Sequence, residues 1–192
     1  MKSFFPVDRS EAKQHLSLSE DKPVLLFGAQ YLNSAYKGYD ILIDILKKIK
    51  FDVEIVFFGR HNPIELKKNQ PGIRYLGFLE SDELRKAYSA ADVYISPSRM
   101  EAFGKTVAES MACGTPVVCF DKTGSSDIID HKINGYLAIS YQIDDMIKGV
   151  QYVLNKQNKK SIREEAIKKV EQNYGADTIT KKYLELYQQL LQ

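Results

Sequence analysis

Two acidic residues near the middle of the chain, Glu101 and Glu109, have the types and spacing that most clearly suggest chemistry. Seven residues separate them, and Gly104 lies between them, just before a run that favours a helix from Lys105. The first amides of such a helix, including those of Lys105 and Thr106, are unpaired and positively polarised, so they suit a phosphate. Carboxylates accept hydrogen bonds from vicinal diols such as those of a ribose or a hexose. The pattern therefore predicts a pocket that holds an anion and sugar hydroxyls together.

The segment that contains both glutamates, P-S-x-x-E-x-F-G-x-x-x-x-E-x-M-A-x-G-x-P-V-V, resembles the signature of the group 1 retaining GT-B glycosyltransferases. The resemblance implies that Glu101 contacts the donor sugar and that Glu109 binds the nucleotide ribose. It also implies that backbone amides beside Phe103 and Gly104, with that of Lys105, help to hold the sugar and the diphosphate. No covalent nucleophile is apparent, so Glu101 is expected to position the sugar.

Cationic contacts to the diphosphate are expected at the ends of the first two strands. The resemblance implies this role for Lys37, and it places Gly28 in a phosphate loop, but Ala29 stands where the family usually has arginine. Gly59 matches the family's glycine after the second strand. Arg60, which the resemblance does not carry over, is a candidate replacement because a guanidinium grips phosphate oxygens with two donors. Whether it takes that role is left open.

A short apolar pair, Phe78 and Leu79, follows the third predicted strand. The resemblance implies that this segment lies against the nucleobase, and two apolar side chains could sandwich a flat ring. Packing into the core at a strand end is an equally good explanation of both residues.

The elements that must position these residues alternate between strands and helices. Strands are predicted at 23–27, 53–58, 73–76, 92–96, 116–120 and 134–138, and a polar loop at 62–72. Crossovers of this length require a parallel sheet with helices on both faces, which is an α/β Rossmann-like fold with six strands. The resemblance implies that this is the C-terminal, donor-binding half of a GT-B fold.

Three segments are expected along the chain. Residues 1–20 are an interdomain lead-in, residues 21–174 form the nucleotide-sugar-binding domain, and residues 175–192 form a C-terminal helix. The resemblance implies that this helix packs toward a missing N-terminal acceptor domain of the same protein. Part of its apolar face is therefore predicted to be exposed in this chain.

Composition argues against several other classes of protein. A net charge of +2, with 44% hydrophobic and 27% charged residues, is typical of a globular protein without a nucleic-acid partner. Cys113 and Cys119 are interpreted as buried thiols in a reducing compartment, and the cytoplasm is expected. The three histidines show no metal-ligand spacing, so neither a metal nor a cofactor is expected beyond the nucleotide sugar. Peripheral membrane association of the full enzyme is left open.

The resulting hypothesis is a retaining transfer of a hexose from a nucleoside diphosphate sugar to a saccharide or lipid-linked acceptor. Lys37 and Glu101 are the expected catalytic residues, and catalysis would be mainly electrostatic stabilisation of the departing diphosphate. This chain alone is expected to be inactive. Two alternatives stay open: a non-catalytic nucleotide-sugar-binding module, and another GT-B enzyme such as a sugar-nucleotide epimerase or a phosphorylase. The base, the sugar, the acceptor, the linkage and the oligomeric state are not fixed by the sequence.

Overall fold

A parallel sheet of six strands organises the part of the chain that the structure describes. The computed structural model describes residues 3–60 and 72–191. The strands are β1 (Val24–Tyr31), β2 (Glu54–Arg60), β3 (Ile73–Tyr75), β4 (Val93–Ser96), β5 (Val117–Phe120) and β6 (Gly135–Ala138). Each neighbouring pair is parallel, and the order across the sheet is β3-β2-β1-β4-β5-β6. The six-stranded α/β fold predicted from the sequence is confirmed.

Helices cover both faces of this sheet. They are α1 (Arg9–His15), α2 (Tyr39–Lys48), α3 (Ser81–Ala90), α4 (Lys105–Ala112), α5 (Ile143–Leu154), α6 (Lys159–Tyr174) and α7 (Ala176–Leu190). Short 3-10 turns span Ala35–Lys37 and Gly124–Asp127. Residues of α1, α3, α4 and α6 share one apolar core, and residues of α2 and α5 share the other.

Strand β1 shows why its sequence is apolar without alternation. Leu25 packs into the core that contains Ile45 of α2, whereas Leu26 packs into the core that contains Met111 of α4. Successive side chains of a strand point to opposite faces, so a strand covered on both faces needs apolar residues at every position. This two-sided burial fixes β1 at the centre of the sheet.

The predicted end of the first strand was wrong. The sequence analysis ended it at residue 27 before a phosphate loop, but β1 continues to Tyr31 and pairs Gly28 with Phe58. A Cβ at Gly28 would lie 2.2 Å from the Phe58 ring, so the missing side chain makes room for that ring within the sheet. Residues 61–71, which include most of the loop predicted at 62–72, lie outside the described residues.

The order of the strands creates one switch point, between β1 and β4. From these neighbouring strands the chain continues to opposite sides of the sheet, because β2 lies beyond β1 and β5 beyond β4. In open parallel sheets, ligands bind beyond the carboxyl ends of the strands at such a point. The loops that follow β1 and β4 therefore become the place to look for a site.

At the opposite, amino end of the sheet, the carboxylate of Asp92 joins several elements. Asp92 forms ion pairs with Arg9 of α1 and Lys159 of α6, and it accepts a hydrogen bond of 2.9 Å from the amide of Val24. Burial alone would raise the pKa of Asp92, but the charge of Arg9 and the hydrogen bond from Lys159 hold it below its ordinary value.

Helix α7 differs from the other helices because none of its residues, Ala176 to Leu190, is buried. Its exposed apolar side chains include Tyr183, Leu184, Leu186, Tyr187 and Leu190. The predicted exposure of this face is confirmed. Among the described residues, no helix has the length and apolar character that a bilayer crossing requires. Both cysteine thiols are buried, as the sequence analysis expected.

Candidate functional site

A cavity of about 680 Å³ opens where the carboxyl end of β1 meets the start of α4. This volume is within the usual range for small-molecule sites. The cavity is lined by Ala29, Gln30 and Tyr31 from the end of β1, and by Phe58 from β2. Of the residues predicted from the sequence, it contains Lys37, Phe78, Leu79, Lys105, Thr106 and Glu109.

The backbone at the start of α4 lies very close to its neighbours and leaves its first amides accessible. Gly104 precedes the helix with a φ of 89°, and an added Cβ would lie 2.3 Å from the Ser125 hydroxyl oxygen. Both the left-handed backbone and the lack of space therefore require glycine. Among the described residues no side chain caps α4, so its first amides are available to an anion. The hydroxyl of Ser125 is also buried there without a hydrogen-bond partner.

Glu101 lies in the loop between β4 and α4. Its carboxylate, whose side chain is 13% exposed, forms an ion pair with Lys37 and accepts a hydrogen bond of 3.1 Å from the Ser98 hydroxyl. Lys37 ends the 3-10 turn after β1 and lines the cavity. The two predicted catalytic residues are therefore brought into contact, at the boundary of the cavity.

Glu109 reaches the same cavity from inside α4. The Tyr88 hydroxyl donates to its Oε2 over 3.3 Å, and Lys105 Nζ lies 3.5 Å from its Oε1. Burial raises the pKa of Glu109, and the opposing effects of Lys105 and Tyr88 do not cancel the rise. The carboxylate is thus under-solvated, and hydroxyl donors from a ligand would stabilise its charged form.

The buried Tyr94 of β4 is influenced by the charges of both glutamates. Its hydroxyl donates to the Gly28 carbonyl over 2.6 Å. Burial raises the pKa of Tyr94, and the charges of Glu101 and Glu109 both raise it further. The charges of both carboxylates therefore reach one buried hydroxyl of β4.

Arg99 binds the two site-bearing loops to each other. Its guanidinium holds Asp40 through two hydrogen bonds of 2.8 and 2.5 Å, and its amide donates to the Tyr36 carbonyl over 2.7 Å. These contacts fix the loop that carries Lys37 against the loop that carries Glu101.

Glycines allow three loops to meet at this place. A Cβ on Gly38 would lie 2.0 Å from the carbonyl oxygen of Pro97, in the loop after β4. The amide of Gly124, in the loop after β5, donates to the Glu101 carbonyl over 2.8 Å. A Cβ on Gly124 would lie 2.2 Å from the carbonyl oxygen of Ala102. The loop after β5 therefore lies directly against the segment that positions Glu101.

The rim of the cavity contains an aromatic residue and a cation in contact. The guanidinium carbon of Arg60 lies 4.2 Å from the centroid of the Phe78 ring, which is a favourable cation–π geometry. Arg60 is exposed and is not among the cavity-lining residues, whereas Phe78 and the half-buried Leu79 are. Gly59, which precedes Arg60, has a φ of 135°, and a Cβ there would lie 2.0 Å from the Ala29 carbonyl oxygen.

Phe103 points away from the cavity. Its ring packs edge-on against Tyr174 at the end of α6, with ring centroids 5.4 Å apart. Any contact of this segment with a ligand is therefore left to the backbone beside Gly104.

The sequence analysis missed three polar partners: Tyr88, Tyr94 and Ser98. Tyr88 of α3 is fully buried. A buried tyrosine hydroxyl requires a polar partner, and that requirement was the available signal. It does not name the partner, because Glu109 comes close only after α3 and α4 pack side by side.

Within residues 3–60 and 72–191, no three His, Cys, Asp or Glu side chains are grouped so that they could hold a metal ion. The charged groups at this site are two carboxylates, each with a lysine partner, beside the start of a helix. This arrangement can bind an anion and sugar hydroxyls side by side.

Two solved structures of named proteins share the fold. Sucrose-phosphate synthase from Thermosynechococcus elongatus gives a TM-score of 0.85 at 23% identity, over 99% of this chain and 50% of that one. HepE of Anabaena, solved in complex with UDP-glucose, gives a TM-score of 0.79 at 20% identity, over 96% of this chain and 54% of that one.

Sequence comparison identifies the family. An uncharacterized glycosyltransferase of Methanocaldococcus jannaschii is 31% identical over 185 residues, which cover 91% of this chain and 47% of that protein. The chain thus spans about half the length of this curated relative. The family profile described as "Glycosyl transferases group 1" matches residues 8–171. The chain therefore belongs to the group 1 glycosyltransferases.

Proposed function

We propose that this chain is the donor-binding half of a retaining glycosyltransferase that uses a nucleoside diphosphate hexose. The proposed acceptor is a saccharide or a lipid-linked acceptor. The observation that carries the proposal is the meeting of Glu101, Glu109 and Lys37 around the start of α4, beside a cavity of about 680 Å³. Membership of the glycosyltransferase family supports sugar transfer as the reaction class.

In the proposed complex, the diphosphate lies against the first amides of α4, and Lys37 reaches it from the loop after β1. Glu109, buried inside α4, accepts hydrogen bonds from the ribose. Glu101 accepts hydrogen bonds from the hexose. The nucleobase lies beside Phe78 and Leu79, both of which line the cavity.

Catalysis is proposed to be electrostatic. Negative charge develops on the diphosphate as the bond to the anomeric carbon breaks, and the α4 amides and Lys37 stabilise that charge in place. Because Glu101 is held by Lys37 and Ser98, it is suited to fix the orientation of the sugar. A metal is proposed to be unnecessary, since these groups can balance the charge of the diphosphate.

The solved relative HepE supports the assignment of the ligand class. It has the same fold and was crystallised with UDP-glucose. UDP and UDP-glucose are therefore the first donors to test, followed by GDP, ADP and their sugars.

We also propose a division of the chain into three segments. It is supported because the chain covers about half the length of the proteins it matches. Residues 1–20 lead in from an acceptor domain, residues 21–174 bind the donor, and residues 175–192 return toward the acceptor domain. The exposed apolar face of α7 supports that return. This chain alone is then expected to bind a donor without transferring its sugar.

Calorimetric titration tests the proposal directly. We expect one nucleoside diphosphate among UDP, GDP and ADP to bind, and the Glu109→Ala variant to bind it about tenfold or more weakly because ribose loses a charged acceptor. Glu164→Ala, which removes an exposed glutamate from α6, is the matched control and should bind normally. Unchanged affinity in Glu109→Ala would remove the ribose assignment.

A second titration separates the phosphate contacts from the nucleoside contacts. Lys37→Ala should weaken binding of the diphosphate by about tenfold and leave binding of the bare nucleoside unchanged, since only the phosphates carry charge. Equal weakening of both ligands would contradict the role assigned to Lys37.

A further inference from the structure

The first residue of α4 is a lysine, which is unexpected on electrostatic grounds. The start of a helix carries a partial positive charge that favours acidic residues and disfavours cations. The first turn of α4 nevertheless has Lys105 and no acidic residue. Its pairing with Glu109 also has the less favourable order, with the lysine four positions before the glutamate. The stability of the helix therefore gives no reason for a cation at this position.

The side chain of Lys105 is exposed, and its ammonium group is only loosely paired with Glu109. Its side chain is 86% exposed, whereas that of its partner Glu109 is only 6% exposed. The 3.5 Å between Nζ and Oε1 exceeds the roughly 2.7–2.9 Å of a strong charged hydrogen bond. A closer anion in the cavity could draw the ammonium away from the carboxylate.

The cavity has few other cations for a doubly charged ligand. Among its described lining residues, Lys37 and Lys105 carry the positive charges. Lys37 is 29% exposed and already engaged with Glu101. Arg60 contacts the Phe78 ring and does not line the cavity. Of the two lysines among the described lining residues, Lys105 is thus the more exposed, and it is the first residue of α4, where an anion is expected.

We propose that the Lys105 side chain is a second diphosphate-binding cation that changes partners when the donor binds. In the free protein its ammonium neutralises Glu109, and in the complex it moves to the diphosphate. Glu109 is then free to accept hydrogen bonds from the ribose, so each charge keeps a partner in both states. The inference rests on the proposed function, because it requires a nucleoside diphosphate in this cavity.

The Lys105→Met variant tests the exchange, because it keeps the aliphatic stem and removes the charge. Affinities for a nucleoside and for its diphosphate are measured by calorimetry for the wild type and the variant. We expect the dissociation constant of the nucleoside divided by that of the diphosphate to fall about tenfold, because only the diphosphate loses a charged partner. Lys105→Arg should keep most of the preference for the diphosphate.

Lys160→Met is a closely matched control. Lys160 is the second residue of α6, its side chain is 91% exposed, and it pairs with Glu164 four positions later over 3.9 Å. It therefore copies the geometry of Lys105 and Glu109 at a helix start outside the cavity. We expect this variant to bind both ligands as the wild type does.

Two results would refute the exchange of partners while leaving the proposed function intact. One is an unchanged affinity for both ligands in Lys105→Met. The other is equal weakening of nucleoside and diphosphate, which would mean that Lys105 only positions Glu109. If the wild type binds none of UDP, GDP and ADP, the proposed function itself fails, and this is seen before any variant is measured.

Discussion

At the scale of single residues, Glu109 joins a binding role to a cost in stability. Burial raises its pKa in the folded protein, despite Lys105 and Tyr88. A carboxyl whose pKa is higher in the folded than in the unfolded state favours folding less once it ionises. This loss of folding stability is absent below the unfolded pKa of about 4, and it develops as pH rises through the folded pKa.

We therefore expect Glu109→Gln to raise the free energy of unfolding at pH 7 by on the order of 1 kcal/mol. Glutamine still accepts from Tyr88 but carries no charge. Urea denaturation at several pH values measures the effect, which should vanish below about pH 4. A gain of equal size at every pH would show that ionisation of Glu109 is not its cause. Glu164→Gln on exposed α6 is the control.

Residue types could be predicted from the sequence better than their partners. The spacing of Glu101 and Glu109 predicted one site for both, but it did not predict that Ser98 would bond to Glu101 or that Tyr88 would bond to Glu109. The proposed replacement cation was harder to judge. Arg60 lies over Phe78 because the end of β2 and the segment after β3 come together in the sheet. No local pattern encodes that meeting.

At the scale of elements, the start of α4 depends on Gly104. Alanine there would adopt a φ of 89° and bring its Cβ to 2.3 Å from the Ser125 hydroxyl oxygen. Ser125 is fully buried, so it has little room to withdraw. We expect Gly104→Ala to lower the free energy of unfolding by roughly 1–3 kcal/mol from strain and crowding together. Binding of the nucleoside diphosphate should weaken as well, because the first amides of α4 shift.

Gly77→Ala separates strain from crowding in the same urea titrations. Gly77 has a similar φ of 78°, but a Cβ there would meet no heavy atom of the described residues within 4 Å. It should therefore report the backbone cost alone. If Gly104→Ala costs no more than Gly77→Ala, contact with Ser125 has no part in shaping the helix start.

Helices were predicted from the sequence more accurately than the ends of strands. Helix α5, Ile143–Leu154, has buried residues at Met146, Val150 and Val153, a helical spacing that can be seen in the sequence alone. Strand β1 did not end where Gly28 and Ala29 suggested a turn. A helical stripe is a local signal, whereas a strand ends where its neighbour stops pairing, and β2 continues to Arg60.

At the scale of the whole molecule, Asp92 holds α1, α6 and β1 together. We expect Asp92→Asn to lower the free energy of unfolding by roughly 3 kcal/mol, near the lower end for a buried ion pair, since its partners are partly exposed. Urea denaturation at pH 7 measures this loss. The pKa of Asp92 is depressed by folding, so its contribution is present above the unfolded pKa of about 3.9 and disappears as pH falls through the folded pKa.

An exposed ion pair provides the control for Asp92. Asp52, which is 74% exposed and pairs with Lys22 over 2.8 Å, should tolerate asparagine with a loss of less than about 1 kcal/mol. A similar loss in both variants would mean that burial adds nothing to the Asp92 network.

Helix α7 is expected to contribute little to the stability of this chain. None of its residues is buried, so Leu186→Ser combined with Leu190→Ser should change the free energy of unfolding by less than about 0.5 kcal/mol. The same pair should reduce any concentration-dependent self-association, because it breaks an exposed apolar patch. Sedimentation velocity and urea denaturation measure the two effects. A large loss of stability would show that α7 packs more closely than this structure indicates.

The contacts of Arg99 have a consequence for how the loops after β1 and β4 open to solvent. Because the guanidinium of Arg99 donates to the Ala35 carbonyl and its amide to the Tyr36 carbonyl, opening of the loop after β1 is coupled to opening of the loop after β4. Their backbone amides should therefore exchange with deuterium as a single cooperative unit, and a ligand that touches only one loop would slow exchange in both.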